Sequence, residues 1–134
     1  MDFDLSPEQR AIKQGARDLL AAKCDMRAVR RQVEAGMYDD SLWTAVRNQG
    51  WAGIALPEDS GGAGLGFVEL AVLMEEFGYA CVPSPLLSST AAGILVAAGG
   101  SDDQKNRWLE APATGEKRGA VGTMTADRSA IVAD

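Results

Sequence analysis

The side chains of this chain whose types could do chemistry are carboxylates, because the 134 residues include no histidine and the two cysteines therefore have no histidine partner. Without histidine, Ser-His-Asp and Cys-His nucleophile systems and the usual zinc and non-haem iron ligand sets are excluded. The paired acids Glu75-Glu76 and Asp102-Asp103 are adjacent, so on a helix they point in different directions and are interpreted as surface and first-turn charges. Any chemistry must therefore be carried by a cofactor or by a carboxylate.

A glycine-rich segment, residues 61–66, is the one candidate for a phosphate-binding loop. A GxGxxG pattern read from Gly62 would need glycine at position 67, where the chain has Phe67. No second strand with an acid for a ribose follows it. The segment is therefore interpreted as a connection between two packed helices that needs positive φ angles.

The charge of the chain argues against a nucleic-acid partner. The formal net charge is −6, from 13 basic and 19 acidic residues. The dense basic clusters are short, have acidic neighbours and are interpreted as solvated faces. They are Arg27, Arg30 and Arg31, and Lys117 with Arg118.

No membrane span, secretory signal or transit peptide is predicted. The chain starts with an acidic sequence, and its longest uncharged stretch, residues 82–101, is broken by Pro83 and Pro85. Cys24 and Cys81 have no CxxC partner and are predicted to be buried reduced thiols, which favours a cytoplasmic location.

The elements that must position these groups are predicted to be six helices, which makes the fold mainly α. Capping boxes from Ser6 to Gln9 and from Ser101 to Gln104 open the first and the last of them. The predicted helices run from Pro7 to about Lys23, from Met26 to Glu34, from Asp39 or Asp40 towards Gly50, from Leu65 or Gly66 to Phe77, from Leu86 to Ala98, and from Ser101 towards Pro112.

The pattern changes near residue 117, where helical periodicity is lost. Residues 120–125 have the composition of a strand, and residues 131–132 are interpreted as the start of another. Two short strands cannot bury a face of their own. We therefore predict a helical domain over residues 1–117 and the start of a truncated β-domain over residues 118–134.

Several local strings, in this order and spacing, resemble the acyl-CoA dehydrogenase family over about residues 1–125. The first is Phe3 to Gln9. The other matching strings are residues 43–51 with 53–58 and 61–66, residues 75–78, and Gly100, Gln104, Lys105, Trp108 and Leu109 followed by residues 115–117. No single string is diagnostic, but together they make a specific match.

The resemblance implies an FAD enzyme that oxidises the α,β carbon–carbon bond of an acyl-CoA thioester. A carboxylate would remove the α-proton while the flavin accepts the β-hydride. The implied fold is a helical amino-terminal domain, a β-rich middle domain and a carboxy-terminal four-helix bundle that supplies the base. No residue of this chain corresponds to that base, so no catalytic residue is assigned to it. No metal site is assigned either, because the chain has no histidine.

Two sets of site residues follow from the resemblance. The helix from Leu86 to Ala98 carries small and apolar side chains without charge, which suits either close helix packing or the wall of an acyl tunnel. Its candidate wall residues are Leu87, Thr90, Ala91 and Ile94. The candidate flavin contacts are Thr123, Met124 and Thr125, although residues 126–129 depart from the string that usually follows in the family.

We therefore expect part of an acyl-CoA dehydrogenase that lines the acyl pocket and is inactive by itself. The expected partners of the parent enzyme are an acyl-CoA, an electron-transfer acceptor and further subunits of a homo- or hetero-oligomer. Fatty, branched and steroid-derived thioesters remain open. The alternative is a stand-alone helical binding or assembly module that completes the site of a partner subunit.

Overall fold

The computed structural model describes residues 4–122, and this part of the chain is helical, as predicted. Two single turns of 3₁₀ helix, Trp51–Gly53 and Glu58–Ser60, lie between the third and fourth helices. The α-helices are α1 (Pro7–Lys23), α2 (Met26–Ala35), α3 (Asp40–Asn48), α4 (Phe67–Tyr79), α5 (Leu86–Gly99), α6 (Asp102–Trp108) and α7 (Glu110–Ala113). Residues 120–122 are not in a strand, and the rest of the predicted strand pair lies outside the described residues.

Both predicted capping boxes are present. The backbone N–H of Gln9 donates to Ser6 Oγ at 3.1 Å, and the backbone N–H of Ser6 donates to Gln9 Oε1 at 2.9 Å. The same reciprocal pair joins Ser101 and Gln104 at the start of α6. These bonds satisfy N–H groups that would otherwise lack partners in the first turn, so the sequence sets where the two helices begin.

The predicted glycine stops are confirmed for α2 and α3 but not for α4. Gly36 and Gly50 have left-handed φ angles of 63° and 71°. At the end of α4 the left-handed residue is Cys81, at φ 52°, and not Gly78. The Val82 N–H donates to the Phe77 carbonyl across this turn, and α4 ends at Tyr79, two residues later than predicted.

The predicted sixth helix is divided into α6 and a short α7. Pro112 was expected to end the helix but lies inside α7, at its third residue. The first N–H groups of a helix have no partner within it, so a proline there removes no hydrogen bond. Leu109, at the junction, is 2% exposed.

The residues form two compact units, and the boundary between them falls within α3. The first unit contains the residues up to Trp43 together with Gly66–Ser84, and in it α1 packs along α4. The apolar side chains buried on these two helices are Ala16, Leu20, Leu70, Val72, Leu73 and Phe77.

The second unit contains Thr44–Leu65 and the residues from Pro85 onward. Here α5 packs against the turn at Trp51–Gly53 and against α6 and α7. Its buried apolar side chains are Val46, Trp51, Ala52, Ile54, Leu56, Leu86, Leu109 and Ala113.

The sequence predicts that the apolar side chains of α4 are buried on nearly all sides of the helix, and this prediction is wrong. In the described structure Phe67 is 69% exposed and Val68 54% exposed, whereas the charged Glu76 is 2% exposed. The prediction of Glu76 as a surface charge is therefore wrong. A cationic partner, described below, stabilises the carboxylate away from water.

The remaining differences concern single side chains. Trp43 and Trp51 are buried, as expected for core aromatics, but Trp108 is half-exposed and its ring lies 4.9 Å from the Arg107 guanidinium carbon. Both cysteines are free thiols, but neither is fully buried: Cys24 is half-buried and Cys81 exposed. No helix within residues 4–122 combines the length and hydrophobicity needed to cross a bilayer.

Candidate functional site

Helix α5 carries all four predicted acyl-wall residues, and its two faces differ. No residue of this helix is charged. Its inward face consists of Leu86, Ser89, Thr90 and Gly93, which are all buried. Residues three and four apart share one face of a helix, so these four form a continuous stripe against the second unit's core.

Thr90 belongs to the inward face. Its hydroxyl donates to the Ala52 carbonyl oxygen at 3.2 Å, and the residue has no exposed surface. The bond satisfies a carbonyl at the Trp51–Gly53 turn and attaches α5 to that turn. Of the four predicted wall residues, Thr90 is therefore the one that anchors the helix.

Gly93 sets how closely α5 approaches the preceding segment. A Cβ atom placed on Gly93 would lie 2.7 Å from Leu56 Cδ1 and 3.0 Å from Cδ2. Leu56 is itself 1% exposed, so its side chain is enclosed by its neighbours. The absence of a side chain at position 93 is thus a packing requirement.

A second polar contact attaches the chain beyond α7 to the same helix. The Gly119 N–H donates to Ser89 Oγ at 3.0 Å, and the Ser89 hydroxyl lies 3.4 Å from the Gly119 carbonyl oxygen. A Cβ on Gly119 would lie 2.9 Å from the Ala92 Cβ. Sequence reasoning missed this contact, and the small side chains of α5 were the available signal for a close approach.

The other face of α5 is apolar and open. Leu87 is 54% exposed, and Ala91 and Ile94 are half-buried. These three residues follow at intervals of four and three and form one stripe. Leu95, 57% exposed, extends it and was not among the predicted wall residues. With no titratable group, this face can bind an apolar ligand but cannot transfer a proton.

The glycine-rich loop uses its backbone N–H groups internally. The N–H groups of residues 61–65 donate to carbonyls of residues 53–58, at 2.8–3.0 Å. Gly62 lies so close to the preceding segment that a Cβ there would be 2.2 Å from the Leu56 carbonyl oxygen. A phosphate-binding loop needs N–H groups directed outward. The interpretation of the loop as a tight connection therefore agrees with the structure.

The buried carboxylate of Glu76 is not a candidate general base. Arg17 donates to it through Nε at 3.0 Å and Nη2 at 2.9 Å, and Lys13 Nζ lies 3.5 Å from Oε1. The hydrogen bonds from Arg17 hold the pKa of Glu76 below its usual value, although burial acts in the opposite direction. A base poised near neutral pH needs the opposite shift.

The candidate flavin contacts Thr123, Met124 and Thr125 lie outside the described residues. Over residues 4–122, no group of three or more histidine, cysteine or acidic side chains could hold a metal ion.

Comparison with known proteins gives one consistent family. Residues 6–116 match the family model described as acyl-CoA dehydrogenase, N-terminal domain. The chain is 35% identical over 119 residues to the acyl-CoA dehydrogenase IpdE2 of Mycolicibacterium smegmatis, covering 87% of this chain and 37% of that protein. It is 40% identical over 84 residues to FadE12 of Mycobacterium tuberculosis, covering 58% of this chain and 21% of that protein.

Solved structures agree on the fold. A variant of the Tcur3481-Tcur3483 steroid ACAD is 31% identical, with a TM-score of 0.75, over 83% of this chain and 31% of that chain. The ChsE4-ChsE5 complex from Mycobacterium tuberculosis has a TM-score of 0.80 at 23% identity, over 88% of this chain and 33% of that one. The chain thus spans about a third of the length of these proteins.

Proposed function

Because the chain belongs to the acyl-CoA dehydrogenase family, as its amino-terminal helical domain, we propose that it forms part of an FAD-dependent enzyme that oxidises acyl-CoA thioesters. The reaction removes an α-proton and a β-hydride from the acyl group. No residue of this chain is assigned as the base. In this proposal the domain binds and positions the acyl group and is inactive by itself.

The observation that carries the proposal is the open apolar face of α5. An acyl chain needs an apolar wall that excludes water, and Leu87, Ala91 and Ile94 supply one along about two turns of helix. The inward face of the same helix is attached through Thr90 and fitted closely at Gly93. A wall held in this way would keep the acyl group in a fixed position relative to the reacting bond.

The size of the side chains along this wall affects how bulky the bound acyl group can be. Ala91 is small, so the stripe between Leu87 and Leu95 has a short side chain near its middle, which suits a bulky acyl group. The steroid ACAD at 31% identity makes steroid-derived thioesters the first substrates to test, before branched and straight-chain ones.

FAD would supply the hydride acceptor of the complete enzyme, but the glycine-rich loop of this chain does not fit its phosphates. The N–H groups of residues 61–65, the candidate phosphate loop, already donate to backbone carbonyls. Flavin contact by this chain is assigned to Thr123, Met124 and Thr125 alone, as a proposal from the family resemblance. We assign no step of flavin chemistry to the described residues.

The proposal is tested first on the 134-residue chain. We expect the purified chain to show no flavin absorption band and no acyl-CoA-dependent reduction of an electron-transfer acceptor. Flavin bound at near-stoichiometric level, or turnover of any acyl-CoA, would contradict the proposed inactivity.

The wall itself is tested by Ala91→Phe in the complete reading frame of which these codons form part. Filling the stripe should raise KM for bulky acyl-CoA substrates by about tenfold, with short acyl groups affected less. The matched control is Ala22→Phe, at an exposed position near the end of α1. If both variants raised KM equally, α5 would not be part of the acyl site.

The alternative function is a helical module that completes the site of a partner subunit. It is supported by the paired name of the Tcur3481-Tcur3483 steroid ACAD. A stop codon directly after codon 134, with flavin in a copurifying subunit, would favour this module. A continuing open frame would favour the first proposal.

A further inference from the structure

The segment that follows α7 is attached to α5 by a side chain that does not belong to the proposed acyl wall. Ser89 has no exposed surface. The Gly119 N–H donates to Ser89 Oγ at 3.0 Å, and the Ser89 hydroxyl donates back to the Gly119 carbonyl oxygen over a longer 3.4 Å. One buried hydroxyl thus pairs with both backbone groups of a single residue and fixes that residue along the helix.

Position 119 is a glycine because of the space available to it. Gly119 is not one of the glycines with left-handed φ angles, so its backbone conformation does not require the absence of a side chain. A Cβ atom on Gly119 would lie 2.9 Å from the Ala92 Cβ, closer than two such atoms approach in folded proteins. The segment is therefore held directly on α5 by close packing as well as by the hydrogen bond to Ser89.

This attachment lies on the side of α5 opposite the proposed acyl wall. At about 100° per residue, Ser89 and Ala92 point away from the stripe formed by Leu87, Ala91 and Ile94. A single helix therefore carries the acyl wall on one side and the departing chain on the other, so the distance between the two is set by the width of α5.

The departing chain leads directly to residues that the proposed function needs. Thr123, the first candidate flavin contact, follows only four positions after Gly119 in the sequence. Dehydrogenation requires a fixed alignment of the acyl group with the hydride acceptor, and a misplacement of about 1 Å can reduce the rate by about a hundredfold. The point where the chain is fixed before Thr123 therefore affects the reaction.

We propose that Ser89 is a positioning residue of the complete enzyme, an inference that rests on the proposed function. By holding Gly119 against α5, Ser89 keeps the chain that runs towards Thr123 in a constant position relative to the acyl wall. Its side chain points away from that wall, so it acts through Gly119 and not on the acyl group.

Amide hydrogen exchange of the 134-residue chain, followed by NMR, tests the attachment. Ser89→Ala removes the acceptor of the Gly119 N–H and should speed the exchange of that amide by at least about tenfold. The matched control is Ser88→Ala, because the Ser88 hydroxyl donates to the Pro85 carbonyl at the start of the same helix and should leave Gly119 unaffected. Unchanged exchange of Gly119 in Ser89→Ala would overturn the proposal.

Steady-state kinetics of the complete reading frame test the positioning role. Ser89→Ala should lower kcat by about tenfold and leave KM for the acyl-CoA within about twofold, because the wall is retained and only the alignment is lost. Ser88→Ala should change neither constant. If Ser89→Ala lowered Tm without changing kcat, or raised KM alone, its role would be structural or in binding, and the proposal would be overturned.

A pair of substitutions tests the close contact separately. Gly119→Ala should also lower kcat, and the addition of Ala92→Gly should restore part of the loss, because it removes the Cβ that the new methyl group meets. Additive effects of the two substitutions would overturn the proposal. A complete wild-type protein that turns over no acyl-CoA would contradict the proposed function, whereas an active enzyme unaffected by Ser89→Ala would contradict this inference alone.

Discussion

Arg17 and Glu76 form a bidentate ion pair between α1 and α4, although the sequence predicts Glu76 to be a surface charge. Both carboxylate oxygens of Glu76 accept from the guanidinium, at 3.0 and 2.9 Å. The Glu76 side chain is 2% exposed, whereas that of Arg17 is 52% exposed. The pair therefore makes a buried carboxylate tolerable next to the apolar residues that hold α1 on α4.

Removal of the cation tests this relationship. Arg17→Met keeps an apolar stem on the surface of α4 but leaves the Glu76 carboxylate with Lys13 alone, at 3.5 Å. We expect a clear fall in thermal stability, by several degrees in Tm, measured by circular dichroism. The matched control is Arg10→Met, whose ion pair with Asp4 is exposed and should contribute little. A Tm unchanged by Arg17→Met would show that Glu76 is solvated.

The same pair predicts a pH dependence of stability. The pKa of Glu76 is lowered from its usual 4.5, chiefly by hydrogen bonds from Arg17. A lowered pKa in the folded state means that the unfolded chain binds the proton more readily. The stabilisation is therefore complete above about pH 4.5 and is lost as the pH falls through the lower folded-state pKa.

Urea unfolding at a series of pH values below neutral measures this effect. The free energy of unfolding should fall below about pH 4.5, and the fall should be smaller in Glu76→Gln. The pKa of Glu69 is lowered as well, chiefly by Gln9, so part of the dependence should remain in that variant. An identical slope in the two proteins would contradict the assignment to Glu76.

Gly93 provides a test of the close contact beneath the proposed acyl wall. Gly93→Ala would place a methyl group 2.7 Å from Leu56 Cδ1, and we expect a loss of about 1–3 kcal/mol from overpacking. Gly99→Ala, in the same helix, meets nothing within 4 Å and should raise stability by about 0.5–1 kcal/mol. Changes of opposite sign in the free energy of unfolding, measured by chemical denaturation, would support the close contact. If both substitutions were stabilising, the contact would be contradicted.

Thr90 tests the attachment of α5 through a single hydrogen bond. Thr90→Val keeps the shape of the side chain but leaves the Ala52 carbonyl without its donor, at an expected cost of about 1–3 kcal/mol. Thr114→Val, where the hydroxyl is exposed, should change stability by less than about 0.5 kcal/mol. If both substitutions had the same small effect, the bond to Ala52 would not hold the helix.

Much of the local structure could be read from the sequence, because it depends on residues close together in the chain. The capping boxes at Ser6 and Ser101 and the left-handed glycines 36 and 50 each act within one turn of helix. They determine helix ends wherever the helix lies. The sequence also shows that α5 carries no charged residue, and this feature indicated the candidate acyl wall.

The contacts that define the site could not be predicted from the sequence, because they join residues far apart in the chain. Thr90 donates to Ala52, and Ser89 pairs with Gly119, across more than thirty intervening positions in the first case. A helix with apolar residues on all sides gives no periodic signal for which face is buried. The structure alone divides α5 into an attached face with Thr90 and an open face with Leu87.

The charged residue Glu76 shows the same difference between what the sequence determines and what the tertiary structure determines. By itself, the sequence determined that α4 forms, that it carries acids near its end and that α1 carries arginine and lysine. Only the tertiary structure decided that Glu76 is buried and Glu75 is not, since the packing of α1 on α4 brings Arg17 to one acid and leaves the other exposed. The free energy of a buried charge depends on the partner that reaches it, and that partner is set by the fold.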